Sequence, residues 1–200
     1  GCFLLACAAV AAPLDLLHAQ APVPSLDPYV LTATRTPLAP GAVGSVVDVI
    51  SAEDLARRQV SSLAGALGLV SGAPLFASGA PGALTSIFLR GSNSNQTLFL
   101  VDGIRLNDPN TDYQLFLGGS CVSFCDSLEV SHGPQSTLYG GEAVGGVIAL
   151  RSERGTGEPV ARMVLEVGSF GTVQGVISAQ GERAGWGYSA SLQGGHTEND

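Results

Sequence analysis

The sequence predicts an α+β globule, a short mixed β-sheet with small helices, followed by the first antiparallel strands of a transmembrane β-barrel. Three observations carry this. Apolar residues make up 45% of the chain and charged residues 13%, enough apolar surface for a core and unlike a disordered chain. The 27 glycines point to turns and β structure rather than long helices. Beyond Gly155 the pattern becomes a clean apolar–polar alternation, in segments of about ten residues separated by Gly-containing turns.

The N-terminus, "GCFLLACAAVAAPLDLLHAQAP", reads as the apolar region and cleavage site of a secretory signal whose front is missing. Cleavage is expected after Ala19, since Pro22 blocks a cut after Ala21. A lipoprotein signal ending at Cys7 is the weaker alternative. The run is too short and too interrupted to span a bilayer as a helix. Residues 20–40 form a linker, opening with the Pro-rich "QAPVPSLDP". Within it, "YVLTATRTP" is β-prone and closed by Pro37. Such a segment suits strand addition to a partner's sheet edge, and equally a leader strand inside the domain.

Residues 41–153 read as the globule. "SVVDVIS" is a short strand, and Ser51 with Asp54 three residues on makes a capping box for a short helix. Ser61 or Ser62 opens a second helical piece with Leu63, Leu67 and Val70 on one buried face. "SGAPLFASGAPGALT" is a loop around a possible short strand, and "SIFLRG" a strand ending in Arg-Gly. "TLFLVDG" is a buried strand because its apolar run is continuous. "LNDPNTDYQLF" is a polar loop and "SLEVSHGP" a strand stopped by Gly133-Pro134. "STLYGGEAVGGVIALRSE" holds one helical turn, a glycine-rich bend and a last strand.

Residues 154–200 read as the start of a barrel. Met163, Leu165 and Val167 alternate with Arg162, Val164 and Glu166. Val173, Gly175, Ile177 and Ala179 alternate with Thr172, Gln174, Val176, Ser178 and Gln180, and Trp186, Tyr188, Ala190 and Leu192 with Gly187, Ser189, Ser191 and Gln193. Trp186 and Tyr188 suit an interfacial aromatic girdle. A soluble sandwich edge shares the period, but the pairing of small polar with apolar residues favours a barrel with a wet lumen.

Several function classes are disfavoured. A formal net charge of -8 is a poor match for nucleic acid, which needs a basic face. The chain has no phosphate-binding Gly-x-x-x-x-Gly-Lys loop, no His-Glu-x-x-His and no Gly-x-Ser-x-Gly elbow. The carboxylates Asp102, Asp108, Asp112, Asp126, Glu129 and Glu142, with His132, therefore give no catalytic set. Asp102-Gly103 reads as a turn, because Asp tolerates left-handed geometry and Gly takes positive φ freely. Arg90 follows "SIFL" as a lone charge at a buried strand end and calls for an acidic partner. "NDPNTDY" offers oxygens for calcium without the EF-hand spacing, so a solvated loop is expected and no cofactor or metal is assigned. Cys121 and Cys125 in "CVSFC" are expected to form a disulfide rather than a metal site, since only His132 lies nearby.

Taken in order, "DPYVLTATRTP", "VVDVISAEDLARR", "SIFLRG", "TLFLVDGIRLND" and "SLEVSHGPQSTLYGGEAVGGVIAL" followed by barrel-like strands resemble the TonB-dependent outer-membrane receptors, most closely the cobalamin receptor subgroup. The resemblance implies a plug inside a large barrel in the outer membrane of a Gram-negative bacterium, set in its lipid. It makes Asp27, Pro28, Tyr29, Val30, Leu31, Thr32 and Ala33 the TonB box, taken by the energising partner TonB as an added strand. Arg90 and His132 become plug–barrel charge contacts. The family has Arg-Gly-Pro where this chain has His132-Gly133-Pro134, a weaker and pH-sensitive substitute. Asp102 and Gly103 shape the turn behind an outward loop. Phe76, Ser78, Asn107, Asp108, Asn110, Asp112 and Tyr113 face the substrate, and the Cys121–Cys125 pair stiffens that apex. The implied ligand is cobalamin, with a ferric siderophore or haem as alternative. A secreted β-rich hydrolase using Asp102 or His132, and an exported interaction module, are the rivals from other classes.

Overall fold

A computed structural model describes residues 44–79, 83–108 and 120–198. The expected signal sequence, linker and TonB box lie outside these residues, as do Asn110, Asp112 and Tyr113.

Strand β1 (Val47–Ser51) runs straight into helix α1 (Ala52–Arg57). Ser51 makes the turn: its hydroxyl accepts the Asp54 N–H at 3.1 Å, and the Asp54 carboxylate accepts the Ser51 N–H at 3.4 Å. This is the capping box anticipated from the sequence. Helix α2 (Leu63–Leu67) starts from Ser62, whose hydroxyl accepts the Gly65 N–H at 3.1 Å. Leu63, Leu67 and Val70 are all buried, as their helical spacing requires.

"SIFLRG" departs from expectation. Strands β2 (Leu75–Ala77) and β3 (Thr85–Ile87) form an antiparallel ribbon, but β3 stops at Ile87. Leu89–Gly91 make a 3-10 turn instead. Arg90 and Gly91 take φ of 50° and 78°, which cannot continue a strand. The Arg90 N–H donates to the Gly72 carbonyl at 2.9 Å, which holds the reversal in place.

The central sheet follows. Strands β4 (Thr97–Val101) and β5 (Ile104–Arg105) form a hairpin, then come β6 (Cys125–His132), helix α3 (Ser136–Tyr139) and β7 (Gly146–Ser152). The strand order is β1-β6-β7-β4-β5, with β4 parallel to β7 and the other pairs antiparallel. One face presents Ile50, Phe99, Leu128, Val130, Ile148 and Leu150 to the helices, where Leu55, Leu63 and Leu67 complete the main core. Each large side chain buried there contributes about 1.5–3 kcal/mol. The other face carries a smaller cluster of Leu98, Leu100, Ala143 and Val147. Both faces of β4 are covered, which is why its apolar run does not alternate.

Three long antiparallel strands end the described chain: β8 (Val160–Val167), β9 (Val173–Arg183) and β10 (Trp186–His196), in the order β10-β9-β8. Their register stacks Met163 on Ile177 and Leu192, while Arg162 lines up with Ser178 and Ser191. The alternation therefore sums to one apolar and one polar face across the sheet, as in strands that part lipid from an aqueous lumen. Among the described residues no helix is long and apolar enough to cross a membrane, which says nothing about strands.

Candidate functional site

At one end of the central sheet, Asp102 and Gly103 are the two residues of the β4–β5 turn, with φ of 50° and 84°. Positive φ at both centres is the hairpin geometry that Asp-Gly favours. Both oxygens of the Asp102 carboxylate hold Ser152: Oδ1 accepts the Ser152 N–H at 2.9 Å and Oδ2 the Ser152 hydroxyl at 2.5 Å. The Asp102 N–H donates to the Leu150 carbonyl at 3.0 Å. Asp102 thus fastens the hairpin to the end of β7.

His132, Gly146 and Thr97 form one cross-strand row at the opposite end. Gly146 is required there: a Cβ would lie 2.4 Å from the Ser131 carbonyl oxygen, at a φ of 153°. His132 was expected at a plug–barrel contact. It lies instead inside the globule with its side chain 3% exposed, its Nε2 2.8 Å from Asp48 Oδ2 of β1. The reason is register: His132 shares the helix-facing side of β6 with Val130, so its ring points inward. Its Nδ1 has no hydrogen-bond partner among the described residues. Arg90 is brought to the same end, its guanidinium 3.9 Å from where a Gly133 Cβ would sit. Contrary to the reading of a buried strand end, Arg90 is exposed and forms no ion pair among the described residues.

Other charges join the globule to the long strands. Glu153, just past β7, pairs with Arg162 on the polar face of β8. Ser61, ahead of α2, donates its hydroxyl to Glu166 at 3.1 Å, one helical-cap position from Ser62. A cleft of about 260 Å³ lies along this seam, lined by Ser61, Ser62, Cys121, Glu166, Gln174 and Gln193. Within the globule, Glu129 is 2% exposed and its Oε1 takes Arg151 Nη2 at 2.9 Å. Sequence reasoning passed over Asp48, Arg151, Glu153 and Arg162. A charge at the centre of "SLEVSH" was the available signal, since a strand buried on both faces makes Glu129 need a partner.

The expected outward residues divide. Phe76 is 75% exposed, and the Ser78 hydroxyl donates to the Leu84 carbonyl at 3.2 Å. Asn107 is spent on the fold, accepting the Phe99 N–H at 2.7 Å and donating to the Thr97 carbonyl at 2.9 Å. Asp108 closes the described part of that loop. The disulfide expected between Cys121 and Cys125 is not formed: both are free thiols. Cys121 lies half-buried beside Ser123, while Cys125 starts β6 with its thiol in the main core. Burial, then the neighbouring Cys121, pushes the Cys125 thiol from 9.0 up to about 12.

A family model described as the TonB-dependent receptor plug domain matches residues 41–147. Two vitamin B12 transporters BtuB of Vibrio vulnificus, from strains CMCP6 and YJ016, are 38% and 31% identical to the chain over 144 and 153 residues. These alignments cover 72% and 74% of this chain and 23% and 24% of the relatives, so the chain spans about a quarter of their length. Among solved structures, the ferripyoverdine receptor of the outer membrane of Pseudomonas aeruginosa, bound to ferripyoverdine, superposes with a TM-score of 0.68 at 20% identity, covering 83% of this chain and 22% of that one. The ferric yersiniabactin uptake receptor FyuA from Yersinia pestis gives 0.61 at 23% identity, with 74% and 23% covered. These two likenesses concern the fold: a mixed sheet with small helices, leading into antiparallel strands. With more than half of its residues under one family model, the chain belongs to the TonB-dependent receptor plug domain family.

Proposed function

We propose that the chain is the plug and the first barrel strands of an outer-membrane receptor that takes up a large, scarce metal complex, cobalamin before others. The observation that carries this is the joining of a plug fold to strands with one apolar and one polar face, in a chain whose relatives are vitamin B12 transporters. The family is one of Gram-negative outer-membrane receptors, and the two-faced sheet fits a wall between lipid and lumen. In this reading residues 27–33 are the TonB box, and TonB draws on it as an added strand. The pull reaches β1 first, because the linker leads into that edge strand. Arg90 meets barrel glutamates, and Phe76, Ser78 and Asp108 belong to the surface that meets the ligand. No residue is given a catalytic role.

The test is uptake in a strain deleted for the whole gene. Growth on limiting cobalamin should fail and return with the intact gene, while growth on a ferric siderophore or haem should not change. Replacing Leu31 in the TonB box by Pro should abolish uptake with the receptor still present in the outer membrane, because Pro cannot donate to a strand ladder. Loss of growth only on chelated iron would move the ligand to the siderophore class. Normal growth on both would overturn the transport reading.

A further inference from the structure

The "CVSFC" segment is not absorbed by plug function. Its backbone is tied to the start of α2 at one end and to the end of β7 at the other, where the Phe124 carbonyl accepts the Glu153 N–H at 2.9 Å. Cys121 makes an antiparallel bridge with Ser62, flanked by Leu63 N–H to the Ser120 carbonyl at 2.9 Å and Val122 N–H to the Ser61 carbonyl at 2.8 Å. The chain then turns back on itself, with the Cys125 N–H on the Val122 carbonyl at 3.0 Å. A register shift in β6 follows between Cys125 and Ser127, so the strand start is already irregular there.

The two sulfurs differ in surroundings. Cys121 Sγ receives the Ser123 N–H at 3.2 Å and lies 3.0 Å from the Ser123 hydroxyl, on the wall of the seam cleft. Cys125 is 3% exposed among core residues. Burial favours its neutral thiol. One sulfur is therefore placed to meet a reagent, and the other is placed to react only afterwards, when the turn opens. Thiol pairs with one accessible and one sheltered member react in that order.

We propose that Cys121 and Cys125 are a reversible dithiol–disulfide pair, in which Cys121 reacts first with an external disulfide and Cys125 resolves the product. The Cys121 thiolate attacks one sulfur of a low-molecular-weight disulfide, forming a mixed disulfide and expelling one thiolate, which takes up a proton. Cys125 then gives up its proton to solvent and attacks Cys121 Sγ, expelling the second thiolate, which is protonated in turn. Two protein thiols lose two electrons and two protons, and one external disulfide becomes two thiols. The closed ring would fix the turn that joins the start of β6 to the start of α2, and would remove a thiol from the cleft facing β8 and β9.

The test uses the full-length receptor in isolated outer membranes, with oxidised glutathione as the probe and mass spectrometry of the peptide holding both residues. Wild type should end with neither thiol free and no glutathione attached. Cys125→Ser should stop with one glutathionyl group on Cys121. Cys121→Ser should lose its Cys125 thiol at least about tenfold more slowly than wild type. Two thiols still free in oxidised wild type, two attached glutathionyl groups, or a Cys121→Ser variant reacting at the wild-type rate would each overturn the proposal. The readout is chemical and independent of uptake, so its failure leaves the transport reading standing, and failure of uptake leaves the thiol chemistry standing.

Discussion

The Asp102 carboxylate holds Ser152 with both oxygens, at 2.9 Å to the N–H and 2.5 Å to the hydroxyl, and so pins the β4–β5 hairpin to the last residue of β7. Asp102 sits at the end of an apolar strand, a position that invites a catalytic reading, yet every contact it makes serves the turn. Asp102→Ala removes both bonds and places Ala at a φ of 50°. Loss of about 2 kcal/mol of local stability is expected. Hydrogen exchange at the Ser152 amide should quicken by at least about tenfold, while Asp102→Asn, which tolerates the left-handed backbone, should show less than half that effect in free energy.

His132 and Asp48 join the first strand to its neighbour. Asp48→Ala leaves a buried imidazole with neither nitrogen partnered among the described residues. An unsatisfied buried group costs about 1–3 kcal/mol. Amides of β1 should then exchange faster, and the edge strand should open at lower denaturant. His132→Leu removes the polar group itself and should be milder than Asp48→Ala. The opposite ranking would mean that the contact carries no stability.

Cys125 gives a pH dependence with a definite sign. Its folded value, about 12, lies above the ordinary 9.0, so folding favours the protonated thiol. That contribution is whole below pH 9 and is lost as pH rises from about 9 toward 12. Wild-type thermal unfolding should therefore fall more steeply above pH 9 than that of Cys125→Ala. Parallel curves would remove Cys125 as the cause.

The two faces of the long strands are tested by one charge placed on each. Leu165→Arg puts a charge on the apolar face, where a midplane position costs about 2–4 kcal/mol. Glu166→Arg changes the polar face one residue away. The first should lower the amount of folded receptor in the membrane fraction, and the second should leave it near wild type. Equal tolerance of both would argue that the sheet does not face lipid.

Much of the fold was legible because its signals are local. Ser51 with Asp54 marked the start of α1, the spacing of Leu63, Leu67 and Val70 marked the buried side of the second helical piece, and Asp102-Gly103 marked a hairpin turn. Period-two alternation sorted Met163, Leu165, Ile177 and Leu192 onto one face before any register was known. "SIFLRG" misled because β propensity continues through Leu89, while the reversal depends on Arg90 holding the distant Gly72 carbonyl.

By itself the sequence determined most of the elements, the alternation of the long strands and, through the order of its motifs, the family. Those properties live in spacings of a few residues, which propensity and periodicity read directly. Only the tertiary structure decided the partners of the charged and polar side chains: His132 with Asp48, Glu129 with Arg151, Asp102 with Ser152, Glu153 with Arg162. Three of these four pairs are joined across distant strands of the chain, and each depends on which strands are neighbours and in what register. A one-residue slip in register turns a side chain to the other face, so no local pattern could have assigned them.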